Sequence, residues 1–216
     1  MRVMPTSTST ARRDAGTTAF ALLGLLSVRP WTTYELAQQV RRSLSWFWPR
    51  AERKLYDDPK RLAADGLATA SEEYTGRRKR TVYEITPEGR SQLSDWLATP
   101  SADPSWENEA LVKVFFADGG DLDALLGTIT GMHATSRRRL GELAEMAQEP
   151  PPFPERRHLG ALSIRLAQAQ EEATLRWAEW ALEQVGCWVA TDDPGKWDAE
   201  IVFTDLVEAA RVGPLS

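Results

Sequence analysis

The sequence predicts a mainly α-helical protein with one small β-hairpin, divided into a basic half and an acidic half. Apolar residues recur at three- and four-residue spacing along most of the chain, whereas residues 81–85 are mostly β-formers. A proline-containing segment, residues 99–105, separates the two halves. Residues 1–100 hold 16 Lys and Arg against 11 Asp and Glu, and residues 101–216 hold 10 against 20. This asymmetry favours a nucleic-acid contact confined to the first half.

Composition bounds the class of protein. A chain of 216 residues with 42% hydrophobic content can bury one or two cores. The single cysteine, Cys187, excludes an internal disulfide. Residues 1–16 are polar and lack the apolar core of a signal peptide, and the apolar run at 19–26 is shorter than the roughly 20 residues that cross a bilayer. We therefore expect a soluble cytoplasmic protein that makes no membrane contact.

Two helices are predicted near the N-terminus. Thr17 or Thr18 is expected to cap a nearly all-apolar first helix, which Pro30 ends. Thr32 or Thr33 is expected to cap a second helix that carries apolar residues along one face. The apolar character of the first helix predicts that it is buried.

A third helix is predicted to begin at Pro49, because proline suits the first turn of a helix. It is expected to run to Ala64, with Leu55 and Leu62 facing inward, and to end at Gly66 in the left-handed conformation. Pro59 lies inside this helix and should kink or shorten it, because proline removes a backbone hydrogen bond.

A hairpin and a fourth helix follow. Residues 67–74 and 81–85 are predicted to pair around a turn that contains Gly76. Thr86 is expected to cap a fourth helix opened by Pro87. The order helix, helix, helix, hairpin, helix is that of a winged helix-turn-helix domain.

Four consecutive cations, Arg77, Arg78, Lys79 and Arg80, are predicted at the hairpin tip. They either keep an exposed loop soluble or contact DNA. A projecting tip can place its guanidinium groups beside phosphates or in the minor groove, next to a helix in the major groove. Clustered like charges repel one another unless an anionic partner is close, which favours the DNA interpretation.

The third helix contains a second group of cations, which are Arg50, Arg53, Lys54, Lys60 and Arg61. The first three lie near its N-terminus, the part of a recognition helix that contacts base edges. Lys60 and Arg61 lie further along, where they contact the duplex or are simply solvated. Tyr56 either donates its hydroxyl to a phosphate or is a partly buried packing residue.

In order, several of these segments resemble the PadR family. They are Tyr34-Glu35-Leu36, Trp48-Pro49, Leu55-Tyr56, Arg61-Leu62, Asp65-Gly66-Leu67, the basic tip at 77–80, Tyr83-Glu84-Ile85-Thr86-Pro87-Glu88-Gly89-Arg90 and Trp96-Leu97. The resemblance covers roughly residues 17–100. It implies a homodimeric regulator, expected to be a repressor, that binds a palindromic operator in double-stranded DNA and is released by a small aromatic effector.

The resemblance also implies which residues contact DNA. Tyr34, with Thr33 beside it, Tyr56 and the basic wing at 77–80 occupy the positions that contact DNA in such proteins. The segment Ala51-Glu52-Arg53-Lys54 departs from the small or glycine-containing stretch that is usual in the family before Leu-Tyr. The operator sequence therefore does not carry over to this chain.

The second half is predicted to be helical and to form the dimer, as in the larger PadR-like proteins. A short buried helix is expected at 109–117, and longer helices at about 121–148 and 156–186, on either side of a proline cluster. One apolar line of the last of these has coiled-coil-like spacing, and consists of Leu159, Leu162, Leu166, Ala169, Ala173, Trp177 and Trp180.

The two long helices are expected to pair as an antiparallel hairpin that buries one stripe of each. A sparser second line, Ile164, Leu175 and Leu182, then requires another partner, which a symmetric dimer supplies. Leu159, Leu162, Leu166, Trp177 and Trp180 are the dimerisation candidates. A last short helix is expected after Pro194.

Tryptophan is abundant, at nine residues. Trp96, Trp106, Trp177, Trp180 and Trp188 are expected either to pack in cores or to line a pocket for a flat effector, for which we select the first four. The two histidines and one cysteine form no metal constellation, and no phosphate-binding loop, nucleophile elbow or catalytic carboxylate pair is present. We therefore expect neither a cofactor nor enzymatic activity.

These interpretations divide the chain as follows: a flexible arm at 1–15, a winged helix-turn-helix DNA-binding domain at 16–99, a linker at 100–107, a helical dimerisation domain at 108–190 and a C-terminal segment at 191–216. Two alternatives remain open at this point. The chain is a winged-helix module that binds another protein, or it is a small-molecule sensor that binds no specific operator.

Overall fold

The computed structural model describes residues 16–44, 46–48, 52–76, 78–104 and 107–212. The chain forms two compact units that divide between Pro104 and Ser105. Helices dominate both units, and a three-stranded antiparallel sheet lies in the first. The predicted fold class, mainly α with a small β-wing, is confirmed. No helix of the described ranges has the length and apolar character that crossing a membrane requires.

The described residues of the N-terminal unit form four helices and three strands. They are α1 (Thr17–Leu26), β1 (Trp31–Thr32), α2 (Thr33–Ser43), α3 (Glu52–Ala64), β2 (Ala68–Thr75), β3 (Arg78–Ile85) and α4 (Pro87–Leu97). Leucine side chains from the first three helices form the centre of its core, and the fully buried ones are Leu22, Leu23, Leu26, Leu36 and Leu62. The burial expected of α1 is confirmed.

The ends of α1 differ from the prediction. Its N-cap is Gly16 in extended conformation, without a side-chain cap, because the helix already includes Thr17 and Thr18. It ends at Leu26, before Pro30. The buried indole Nε1 of Trp31 donates to the Leu25 carbonyl oxygen at 2.8 Å, and the Val28 amide donates to the same oxygen at 3.1 Å, so this acceptor at the helix end is satisfied twice.

Helix α3 continues through Pro59 to Ala64, so the predicted shortening at that proline is wrong. The spacing of four and three residues places Leu55, Pro59 and Leu62 on one face of α3, and all three are buried. The packing of this face stabilises the helix, although Pro59 interrupts its backbone hydrogen bonding. The C-terminus is as predicted. Gly66 has a φ of 75°, and the Leu67 amide donates to Leu62 O at 2.9 Å, as in a Schellman motif. The predicted start at Pro49 lies outside the described residues.

The sheet has the order β1-β3-β2, and its hairpin pairs Ala68 with Ile85 at one end and Thr75 with Arg78 at the other. Strand β3 begins at Arg78, three residues earlier than predicted, and Gly76, at a φ of 62°, lies in the turn. Strand β1 was not predicted, because its two residues are too few to show a strand pattern.

The C-terminal unit contains α5 (Glu109–Phe115), α6 (Leu122–Gln148), α7 (Arg157–Val185) and α8 (Glu200–Val212). The two long helices are antiparallel, because His133 faces Glu179 at 3.4 Å while Arg139 binds Glu171 at 3.0 Å. The core between them consists of Leu125, Ile129, Ala178, Ala181 and Val185. The predicted helical hairpin is confirmed.

Two expectations about this unit are wrong. Helix α5 has no buried residue in the single chain, and Phe115 is 79% exposed. The line of α7 predicted to pack within the hairpin instead faces outward at Leu159, Leu162 and Leu166. The second line is half-buried, at Ile164, Leu175 and Leu182. Small residues such as Ala178 let α6 and α7 approach closely, and this contact decides which line of α7 faces inward.

Candidate nucleic-acid interface

A capping box fixes the start of α2 and so the position of the first DNA-contact candidates. The Thr32 hydroxyl accepts from the Glu35 amide at 3.2 Å, and the Glu35 carboxylate accepts from the Thr32 amide at 2.8 Å. The N-cap of α2 is therefore Thr32, which is one of the two residues predicted to cap this helix. Thr33 is half-buried in the first turn, and Tyr34 is 59% exposed beside it. The box orients the Tyr34 ring towards solvent.

The box also involves a cation. Arg29 binds Glu35 at 3.3 Å, and its guanidinium carbon lies 3.4 Å from the centroid of the Trp31 ring. Burial alone would raise the pKa of Glu35. Hydrogen bonds from Thr32 and the charge of Arg29 outweigh that effect and hold the pKa below its ordinary value. The capping box at the first turn of α2 thus contains the ionised carboxylate of Glu35.

Gln38 is a further candidate that the sequence analysis missed. It lies one turn after Tyr34, is exposed, and its side-chain amide donates to the Tyr34 hydroxyl at 2.9 Å. The i, i+4 spacing from Tyr34 was the available signal. The two side chains present a hydroxyl and an amide on one exposed face.

The candidates on α3 are only partly described. Arg50 and the side chains of Arg53 and Lys54 lie outside the described residues. Tyr56 is half-buried, and Lys60 is exposed with its ammonium group 3.7 Å from the Asp57 carboxylate. The buried face of α3 points into the core through Leu55 and Leu62, so Lys60 lies on the outer side of the helix.

The wing differs from the predicted cluster of four cations at a tip. Gly76 lies in the turn, whereas Lys79 and Arg80 belong to β3. Arg77 and the side chain of Arg78 lie outside the described residues. Neighbouring strand residues point to opposite faces, so Lys79 and Arg80 do not share one.

Each of the two described cations has an anionic partner on β2. Lys79 binds Glu72 at 2.6 Å, and Arg80 binds Glu73 at 2.7 Å, the latter with both its Nε and a terminal nitrogen. The expectation that the cations lack an anion nearby is therefore wrong for these two. All four groups are exposed, so each pair is weak and can exchange partners with a phosphate.

The four tryptophans predicted to bind an effector do not all lie in the same part of the chain. Trp96 belongs to the N-terminal unit, where it stacks on Phe20 with ring centroids 4.8 Å apart and planes within 3°. Trp106 lies outside the described residues. Trp177 and Trp180 line an open cavity of about 440 Å³ in the C-terminal unit, together with Trp188 and Trp197. Of the three selected tryptophans that the structure describes, Trp177 and Trp180 therefore share a cavity and Trp96 lies elsewhere.

A polar group beside this cavity lacks a partner. The Trp188 indole nitrogen is buried and has no hydrogen-bond acceptor among the described residues. The rest of the lining is mostly apolar, from Val114, Leu125 and Ile129 among others. A cavity with aromatic walls and polar side chains such as Gln184 suits a flat molecule that carries an oxygen.

Comparison with known proteins finds one matching family profile for each half of the chain. The profile of the Transcriptional regulator PadR-like family matches residues 22–95, and a profile named Virulence activator alpha C-term matches residues 107–185. The negative transcriptional regulator PadR of Bacillus subtilis is 26% identical over 99 residues, which are 45% of this chain and 54% of that protein. This chain thus spans about half the length of that relative.

A probable transcriptional regulator of Mycobacterium tuberculosis is 27% identical over 125 residues, covering 53% of this chain and 66% of that protein. Two solved structures of the Bacillus subtilis PadR have similar folds. The complex with operator DNA has a TM-score of 0.69 at 21% identity, and covers 78% of this chain and 99% of the other. The complex with p-coumaric acid has a TM-score of 0.64 at 22% identity, with 78% and 98% covered.

The order of elements, the capped second helix and the wing agree with these matches over both halves of the chain. Residues 22–95 of this chain therefore match the PadR-like family, a family of transcriptional regulators and not of enzymes.

Proposed function

We propose that this protein is a DNA-binding repressor that acts as a homodimer on a palindromic operator. The observation that carries the proposal is the arrangement of the N-terminal unit. A capped α2 with Tyr34 exposed precedes α3 and a wing whose Lys79 and Arg80 are on its surface. Helix α3 is assigned to the major groove, and the wing to the flanking phosphates.

Exposed apolar side chains of the C-terminal unit support the homodimer. In the single chain Phe115, Phe116 and Val112 of the α5 region are largely exposed, as are Leu162 and Leu166 of α7. Exposed apolar patches of this kind usually mark an interface. A two-fold axis would bury the same residues of both protomers. The dimerisation candidates Leu159, Leu162, Leu166 and Trp180 lie on this surface.

The tryptophan-lined cavity supports release by a small aromatic effector. Trp177 and Trp180 supply flat walls, and Gln184 supplies a polar side chain. The relative solved with p-coumaric acid gives a precedent for a phenolic carboxylate as ligand. Quenching of tryptophan fluorescence by hydroxycinnamates, and loss of that quenching in Trp180→Ala, tests this part of the proposal.

The decisive experiment for DNA binding is selection of bound sites from random double-stranded DNA with the full chain. We expect inverted repeats whose half-sites lie about 34 Å apart, or one helical turn. Binding to the selected site should exceed binding to a scrambled duplex at two salt concentrations. A chain that enriches no sequence, and binds both duplexes equally, does not act on an operator.

A further inference from the structure

The hydrogen bond between Gln38 and Tyr34 has a direction. The side-chain nitrogen of Gln38 donates to the Tyr34 hydroxyl oxygen at 2.9 Å. An amide nitrogen carries protons and does not accept, so the hydroxyl oxygen is the acceptor in this bond. A phenolic hydroxyl has a single proton of its own. That proton must therefore point away from Gln38.

The Tyr34 hydroxyl proton has no acceptor within the part of the chain that the structure describes. The bond from Gln38 is the one hydrogen bond that the Tyr34 side chain makes to those residues. Both side chains are at the surface, and Tyr34 is 59% exposed. The pair therefore presents a donor of fixed direction to a group outside the chain, and an acceptor there would complete the hydroxyl's hydrogen bonding.

The surroundings of this donor on α2 favour an anion as the acceptor. Arg41 and Arg42 are exposed three and four residues after Gln38, which places them on the same side of the helix. Glu35 is the one acid of α2, and its carboxylate is held in the capping box. The outer side of α2 thus combines a directed hydroxyl with two cationic side chains.

Helix α3 packs against α2 and carries acids that must be counted with these charges. Asp57 lies 3.7 Å from the ammonium group of Lys60, and Asp58 lies 3.9 Å from the guanidinium group of Arg61. Both carboxylates are thus paired with a base of the same helix. The side chain of Glu52 lies outside the described residues. The direction of the hydroxyl proton depends on the hydrogen bond alone, and not on the balance of these charges.

We propose that Gln38 is a positioning residue, which directs the Tyr34 hydroxyl proton towards a phosphate of bound DNA. In a helix-turn-helix protein the first helix crosses the sugar-phosphate backbone while the second lies in the major groove. Helix α2 is the first of the two here, so its outer side meets phosphates. A phosphate oxygen accepts strongly from a hydroxyl. This inference rests on the DNA binding proposed above and assigns one contact within it.

Four backgrounds at position 38, all made in the full chain, test this role. They are the parent, Gln38→Met, Gln38→Lys and Gln38→Glu, each with Tyr34 intact and with Tyr34→Phe. Fluorescence anisotropy with a labelled duplex of the selected operator measures each dissociation constant. The readout is the factor by which Tyr34→Phe weakens binding, because the effects of position 38 on net charge and helix stability cancel in that ratio. Circular dichroism verifies that every variant folds.

The factor should depend on whether the side chain at position 38 donates. In the parent Tyr34→Phe should weaken binding about tenfold, since a hydrogen bond to a charged group is lost. In Gln38→Met, which has a similar shape and no donor, the factor should fall to about threefold. Gln38→Lys retains a donor and should keep the parent's factor. In Gln38→Glu the carboxylate accepts the hydroxyl proton, so Tyr34→Phe should change affinity little.

Gln92→Met is the matched control. It removes a hydrogen bond of the same i, i+4 type in α4, where Gln92 donates to Glu88 at 3.0 Å. Because this pair does not involve the Tyr34 hydroxyl, Tyr34→Phe should have the parent's tenfold effect in the Gln92→Met background.

The proposal and the function on which it rests fail in different ways. If the parent binds the operator and the factor is the same in all four backgrounds at position 38, Gln38 does not direct the hydroxyl proton. If Tyr34→Phe has no effect in the parent, the hydroxyl makes no contact with the duplex, and the positioning role is wrong while DNA binding stands. If the parent binds no duplex, the proposed function is wrong and this inference falls with it.

Discussion

The carbonyl oxygen of Leu67 occupies the space that a β-carbon on Gly89 would need. This contact joins the first turn of α4 to the segment that leads into the wing. Thr86 reinforces it, because its hydroxyl donates to Gly66 O at 2.8 Å and accepts from the Gly89 amide at 3.0 Å. The wing is thereby fixed to the body of the N-terminal unit at its base.

Gly89→Ala should destabilise this junction. The added methyl group would also lie 3.0 Å from a side-chain carbon of Ile85, so the backbone must shift. We expect a loss of about 1–3 kcal/mol in the free energy of unfolding, measured by urea denaturation. Gly24→Ala is the control, because a β-carbon there meets nothing within 4 Å and alanine favours the helix. If the two variants were equally stable, the close contact of Gly89 with Leu67 would not contribute to stability as we expect.

Glu35→Gln should make the stability of the N-terminal unit less dependent on acid. Because the pKa of Glu35 is lowered in the folded state, its ionised form contributes stability above the ordinary glutamate pKa of about 4.3. That contribution is lost as the pH falls through the lower folded-state pKa. The difference in unfolding free energy between parent and variant should therefore be constant near neutrality and vanish in acid, as followed by denaturation at several pH values.

Replacing Lys79 and Arg80 by alanine should weaken DNA binding without unfolding the protein, since both side chains are exposed. If each contacts one phosphate, the slope of log affinity against log salt should fall by about 2 in magnitude. Fluorescence anisotropy with a labelled duplex measures both quantities. Lys113→Ala, which removes a similar exposed ion pair with Glu109 in the C-terminal unit, is the control. An unchanged slope would show that the wing makes no phosphate contact.

Glu72→Gln with Glu73→Gln should have the opposite effect. The two carboxylates hold the wing cations in the free protein and repel phosphates, so their removal should tighten binding to any duplex. The gain should diminish at high salt, because the charges are exposed. Glu84→Gln, near the other end of the hairpin, should change affinity little. Weaker binding by the double variant would mean that the glutamates position the cations productively.

The helices of the N-terminal unit were predictable because local signals determine their ends. Thr32 and Thr86 cap their helices as predicted, and Gly66 ends α3 in the left-handed conformation. The cap of α1 was predicted wrongly, because Gly16 provides no side-chain signal that distinguishes it from Thr17. Periodicity likewise predicted α6 and α7 to within a residue or two.

The partners of side chains were less predictable, because they depend on strand register and on which helix face packs. The four cations at 77–80 are adjacent in sequence, yet the register places Arg80 opposite Glu73 and Lys79 diagonally across from Glu72. In α7 the denser apolar line, which includes Leu162, was expected to pack within the hairpin, and the sparser line, which includes Ile164, was expected to face another partner. Contact with α6 through small residues makes the line with Leu162 the exposed one.

Pro59 has a mechanical consequence for α3. Because its nitrogen carries no hydrogen, the Leu55 carbonyl oxygen receives no bond from the residue four positions on, and one link of the helical ladder is missing. Bending at this point costs less than in an uninterrupted helix. The buried proline and Leu62 hold the following turns in the core. The preceding turn carries Leu55, which is also buried, so the packing of Leu55 limits how far that turn can tilt towards a groove.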